Sequence, residues 1–184
     1  MKAGRLWGAA VFLPTQEENV NTELEALFKG DQDDRRGAAH FPAEQLLKLQ
    51  ARDEKRKERV SEITRQGGLQ SAENYYHAAI ILQHGAKPED YLVAHILATI
   101  GVFKVREEDK WLSAATLDRF LRSMGRSQIF GTQYKRTIED TSVTQDPYDR
   151  SLNDLFRKEY GLPSLAEQER TLVDLNRKAT STES

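Results

Sequence analysis

Apolar residues along this chain recur at helical spacing, and the breaks in that spacing fall at glycine and proline. A first helix is expected over about Asn21–Lys29, with Leu24, Leu27 and Phe28 on its apolar side and Gly30 ending it. A long second helix starts after Pro42 and runs toward Gln66. Its apolar contacts, Leu46, Leu49, Val60 and Ile63, are sparse, and Gly67-Gly68 closes it. Ser71 can cap a third helix, SAENYYHAAIILQHG, because its hydroxyl accepts a backbone N–H two or three residues on. Pro88-Glu89-Asp90 opens a fourth, which reaches about Gly101, with acids in the first turn where the macrodipole favours them. A fifth is expected over about Glu107–Met124. Arg126–Arg136 lacks clean periodicity, and Ile138–Tyr148 reads as loop with room for a short strand. Two weaker helices, about Ser151–Tyr160 and Ser164–Leu175, are separated by Gly161 and Pro163.

Short links between the third, fourth and fifth helices imply antiparallel neighbours. The expected fold class is all-α: antiparallel helical hairpins packed as a single irregular bundle, with an irregular loop region after the fifth helix. Residues 1–20 read as a leader or arm, 21–176 as one helical domain and 177–184 as a disordered tail. The 184 residues suffice for one real hydrophobic core.

Charge narrows the partners. Lys+Arg is 27 and Asp+Glu is 29, a formal charge of −2, so nothing draws the whole chain toward nucleic acid or anionic lipid. The run Arg52–Arg59 alternates in sign and reads as a solvated helix face. With no cysteine, disulfides, thiolate metal sites and cysteine nucleophiles are excluded. The lack of cysteine fits a cytoplasmic protein. The alternative is export with a degenerate leader: two positive charges in Met1–Arg5 precede the apolar Leu6–Leu13, but no small-residue cleavage pattern follows. That run is too short to span a bilayer as a helix.

Candidate chemistry centres on the third helix. Glu73, His77 and His84 share one side of it, the other sides being apolar. His77 and His84 lie about 10 Å apart along the axis at 1.5 Å per residue, too far to bind one metal ion. Glu73 and His77 could share one, but a single such pair is no complete ligand set, and neither metal nor cofactor is expected. The histidines could line a groove, one as general base; next to Gly85, His84 could instead cap terminal carbonyls. Asp118, in WLSAATLDRFLRSM, is a second candidate: an acid among apolar neighbours needs a cation or donor, and Arg122 is the local option. Arg119 could grip an anionic group. Gly131-Thr132-Gln133 offers a pliant backbone, a hydroxyl and an amide for a ligand or a helix end. His95 reads as a satisfied core histidine, and His40 as a loop residue. Glycine-rich phosphate loops, nucleophile elbows and His-Glu-x-x-His are absent.

These residues form an ordered set: Asp31-Gln32-x-x-Arg35; Tyr75-Tyr76-His77-Ala78-Ala79 through Gln83-His84-Gly85; Pro88-Glu89-Asp90-Tyr91 with Ala94-His95; Trp111-Leu112 and Asp118-Arg119; and Gly125-Arg126-x-Gln128-x-x-Gly131-Thr132-Gln133. Over about residues 22–170 the set resembles an uncharacterised bacterial family known only as a domain of unknown function. The resemblance implies one recurring constellation of Asp31, Gln32, Arg35, His77, His84, His95, Asp118, Arg119, Thr132 and Gln133. Our own reading of the residues adds Glu73 and Tyr76 and expects the set to line a pocket, with His77, His84 and Asp118 as the candidates for chemistry and the others contacting the ligand. The resemblance also raises the expectation of export, from which the shortened leader departs. It implies no particular reaction.

Two functions compete. One is a binding or interaction module whose polar groove takes a small polar or peptide-like ligand or a protein partner. The other is a small hydrolase or lyase using His77 or His84 as general base, oriented by Asp118, with an arginine holding an anion. Both need the Asp31–Arg35 segment and the Gly131–Gln133 segment to converge on the polar stripe of the third helix. Oligomeric state has no signature in the sequence.

Overall fold

The computed structural model describes residues 19–38, 41–136 and 142–181, except for the side chains of 178–181. The Leu6–Leu13 run, His40 and the last three residues lie outside them. The described residues form helices α1 (Thr22–Asp34), α2 (Ala43–Arg65), α3 (Ala72–Leu82), α4 (Pro88–Phe103) and α5 (Glu108–Ser123), then strands β1 (Tyr134–Arg136) and β2 (Val143–Gln145), then α6 (Asp154–Glu159) and α7 (Leu165–Ser181). The all-α expectation holds, with one small hairpin in the irregular region.

Local chemistry sets the helix starts. The side chains of Asn21 and Ser71 accept the Leu24 and Asn74 amides as N-caps. Asp90 caps α4 by accepting the Lys87 amide, and Lys57 of α2 pairs with the same carboxylate at 2.6 Å. Side-chain pairings fix the hairpins as antiparallel. Across α1 and α2, Glu23 meets Arg59 and Asp34 meets Arg52; across α4 and α5, His95 meets Ser113 and Gly101 faces Asp109. Helix α3 lies between α1, α2 and α4 and touches α5. Its Ala78, Ala79, Ile80, Ile81 and Leu82 form the main core with Leu24, Val60, Ile63, Ala94, Leu97, Ala98 and Leu112. Four alanines there, Ala78, Ala79, Ala94 and Ala98, leave room for the helix backbones to pack closely. A second core of Ala114, Phe130 and Leu162 sits under the irregular region.

Three elements depart from the sequence reading. Helix α1 does not stop at Gly30 but continues to Asp34, so Asp31 and Gln32 are its last turn and Arg35 its C-cap rather than a loop. Tertiary bonds outweigh the helix cost of glycine: Arg56 donates to the Gly30 carbonyl at 3.1 Å and pairs with Asp34, and Asp31 is fully buried. The Arg52–Arg59 run is, for the same reason, only partly a solvated face: Arg52, Glu54, Lys55 and Glu58 are exposed, but the run also turns two charges inward. Asp53 and Lys57 are buried, because their charges are neutralised by Arg35 and Arg56 and by Asp90. Helix α7 runs past Leu175 to Ser181, its Asn176 side chain bonding both the N–H and C=O of Val143 in β2.

Val105, at the end of α4, has φ +69, a left-handed conformation that costs a β-branched residue about 1–2 kcal/mol. The turn brings the Arg106 amide back to the Gly101 carbonyl at 3.2 Å and aims the Arg106 side chain inward. Val105 is 84% exposed, so Val105→Asn is expected to stabilise the protein by about 1 kcal/mol in urea unfolding, since Asn tolerates this conformation. A loss of stability would mean the valine methyls matter more than its backbone. Among the described residues, no helix is long and apolar enough to cross a membrane.

Candidate functional site

Apart from His95 and Arg119, the residues singled out in the sequence separate into three sets, and among the described residues no hydrogen bond or ion pair joins one set to another. The first lies at the end of α1. Asp31 accepts from Gln32 Nε2 at 2.9 Å and meets Arg35 Nη1 at 3.2 Å and His84 Nδ1 at 3.1 Å. Arg35 also grips both oxygens of Asp53, at 2.9 and 3.2 Å. His84 lies beyond the end of α3 and spends its ring nitrogen on a carboxylate, not on terminal carbonyls.

The second set is inside the bundle. His77 is buried, stacked on the Phe28 ring with centroids 4.2 Å apart, and its Nε2 lies 2.9 Å from Glu73 Oε1. The other Glu73 oxygen takes Arg106, whose guanidinium covers the Tyr76 ring at 4.1 Å and whose Nε lies 3.4 Å from Asp109. Asp109 is fully buried, and neither of its oxygens has a hydrogen-bond partner among the described residues. Burial pushes its carboxyl up to about 7, Arg106 opposing and Glu108 and Glu73 adding to the rise. Burial lowers the His77 pKa, against the pull of Glu73. Asp109 takes up the room beside Gly101: a Cβ there would lie 1.6 Å from Asp109 Oδ2. Among the described residues, no three His, Asp or Glu side chains are grouped to hold a metal ion.

The third set overturns the expected Asp118–Arg122 pair. Asp118 is fully buried, and its carboxylate accepts four hydrogen bonds: the amides of Ile129 and Phe130 at 2.8 and 3.0 Å, and the amide and hydroxyl of Thr132, both at 2.9 Å. Donors converging from one loop satisfy the charge better than a single flexible arginine. Gln133 bonds Gln128 and the Ala115 carbonyl of α5. Arg157, also buried, donates from the other side to the Phe130 and Pro163 carbonyls. Gly131, at φ +68, is enclosed by Gln145, Tyr148 and Gln168, which leaves no space for a side chain. Thr132 and Gln133 therefore lock the loop onto α5 instead of facing α3.

This geometry removes Asp118 as the partner that orients either histidine. The expected common hollow around the α3 stripe is replaced by internal pairing. His95 Nδ1 lies 2.9 Å from the Ser113 carbonyl and 3.3 Å from the Ser113 hydroxyl. A carbonyl only accepts, so the proton sits on Nδ1 and that nitrogen cannot act as a base toward the hydroxyl.

A cavity of about 430 Å³ lies elsewhere, between α4, the end of α5 and the hairpin. Tyr91, Arg119, Arg122, Arg126, Lys135 and Asp146 line it. The locked 129–132 loop holds the segment that leads from α5 into its hairpin wall. Arg122 pairs with Asp146, and Lys135 meets the same carboxylate at 2.7 Å. Arg119 differs: its Nε is buried without an acceptor, and among the described residues no hydrogen bond or ion pair holds its guanidinium. Burial lowers its pKa; the charges of Arg122 and Arg35 push the same way and Tyr91 opposes them.

Of the sequence candidates, only Arg119 lines this cavity. Arg126 entered the reading only as part of the Gly125-Arg126-x-Gln128 motif, and Lys135 and Asp146 were not singled out. Arg119 and Arg122 are three residues apart on α5, a spacing that puts both on one side of the helix and was legible, whereas Arg126 follows the left-handed Gly125 beyond the helix end. Lys135 and Asp146 had no such signal, because a hairpin register brings them together. A scan against protein-family models, a search of curated proteins and a search of solved structures each found no match to the chain.

Proposed function

We propose that the chain is a ligand-binding module whose site is the cavity between α4, α5 and the β1–β2 hairpin, taking a small polar ligand. One observation supports this above the others: Arg119 points a guanidinium with no acceptor among the described residues at a cavity of about 430 Å³, within the usual range for small-molecule sites. An arginine that is partly buried without a partner costs stability, and a ligand oxygen would offset that cost. A catalytic reading has less behind it. His77 and His84 pair with Glu73 and Asp31 and lie outside the cavity wall, and Asp118 is consumed by its loop.

The test is a thermal-shift screen against small polar metabolites, run on the protein and on Ser127→Trp, which places an indole in the cavity mouth. A ligand present at about 100 times its Kd stabilises by about 2.7 kcal/mol, a shift of several degrees. At least one compound is expected to shift the parent protein and not Ser127→Trp. Equal shifts in both, or none in the parent, contradict the proposal.

A further inference from the structure

We infer that the ligand of this cavity is an oxyanion carrying two or more negative charges, and that Asp146 is a built-in competitor for the same cations. This rests on the reading of the cavity as a ligand site and specifies what it holds. Four cations, Arg119, Arg122, Arg126 and Lys135, face one carboxylate, Asp146. The cavity wall thus carries a formal charge of +3, in a chain whose overall charge is −2. Such local excess in a concave site draws anions and is not balanced by a monoanion.

Asp146 already shows how the cations are used. Its two oxygens take Arg122 and Lys135, as the oxygens of a phosphate or carboxylate ligand would, and the pairing holds its pKa below the ordinary carboxylate value. Its backbone is anchored: Gln128 donates its side-chain amide to the Asp146 carbonyl and its backbone N–H to the Pro147 carbonyl. The carboxylate is held by Arg122 and Lys135 and the backbone by Gln128, so exchange of its cation partners leaves that anchor in place. An incoming dianion bound first at Arg119 and Arg126 therefore meets a like charge, and reaches Arg122 and Lys135 by displacing it. Planar guanidinium forks suit tetrahedral phosphate and planar carboxylate alike, so the shared chemistry is a multiply charged oxyanion. A phosphate source and a polycarboxylate source are separated by the probes.

The experiment is isothermal titration of the parent protein and of Asp146→Asn, Arg119→Gln and Arg126→Ala with inorganic pyrophosphate, citrate and, as monoanion control, acetate. Pyrophosphate or citrate is expected to bind and acetate not; the better of the two names the source. Asp146→Asn is expected to tighten binding about tenfold by removing the like charge, with Arg119→Gln weakening it at least tenfold. Arg126→Ala, at an exposed position, is expected to weaken binding about fivefold and stands in if a variant fails to fold. Weaker or unchanged binding by Asp146→Asn overturns the competitor role. Failure of all three anions to bind at millimolar concentration, while a neutral ligand from the thermal screen does, overturns the charge assignment and leaves the ligand-binding reading standing.

Discussion

Asp118→Ala is expected to lower stability by about 4 kcal/mol, seen as a fall of roughly 10 °C in Tm. The carboxylate is fully buried and accepts four hydrogen bonds from the 129–132 loop. Hydrogen bonds to a charged acceptor contribute about 1.5–3 kcal/mol each, and truncation would leave buried amides without a partner as well. The loop would open, and with it the wall from which Gln128 anchors Asp146 and Pro147. Asp118→Asn is expected to cost about half as much, since one oxygen can still accept while the amide faces donors at Thr132. Urea unfolding checks both. A loss below 1 kcal/mol for the alanine variant would mean that solvent replaces the carboxylate without difficulty. If Asp118 instead served a histidine, the variant would lose activity and keep its stability.

Asp109→Asn is expected to be more stable than the parent protein above pH 7, by up to about 4 kcal/mol, and nearly equal to it at pH 4. The sign follows from proton binding. The folded protein keeps the Asp109 proton up to about pH 7, whereas the unfolded chain releases it near 3.8. Between those values the unfolded state holds fewer protons, so this group makes stability fall as pH rises across that window. An amide cannot ionise, and the fall disappears in the variant. His77 acts oppositely: its lowered pKa makes folding favour the neutral ring, so its contribution is present above pH 6.5 and lost as pH falls below it. That contribution is common to both proteins and cancels in their difference. Melting curves from pH 4 to 8 settle the matter, and parallel Tm profiles would contradict the burial of an ionising Asp109 against Gly101.

The bundle was legible because helix-forming chemistry is local. The Ser71 cap, the Pro88 start and the Gly67-Gly68 stop all mark real boundaries within a residue or two. The misplaced end of α1 has a tertiary cause: Arg56 and His84, remote in sequence, hold Gly30 and Asp31 in helical geometry. The site was harder to read for the same reason. Histidines and a lone acid on apolar helices drew attention; spacing named Glu73 beside His77, but His84 and Asp118 are satisfied by groups that spacing could not name, Asp31 for His84 and the Ile129–Thr132 amides for Asp118. Asp109 was not singled out, since nothing nearby in sequence reveals that it packs on Gly101. Arg119 was named as an anion grip, but its neighbours Lys135 and Asp146 enter only through the hairpin.

The most direct test of Arg119 as the anion subsite is an NMR titration that follows arginine Nε–Hε signals as pyrophosphate is added. The Arg119 Nε is buried without an acceptor among the described residues, so its proton should be protected from exchange and visible before ligand is added. The expected result is a saturable shift of Arg119 with smaller shifts at Arg122 and Arg126, while the signals of Arg35 and Arg106 stay in place. Movement centred on Arg35 or Arg106 would instead put the ligand beside the α1 or α3 polar sets and contradict the cavity as the site.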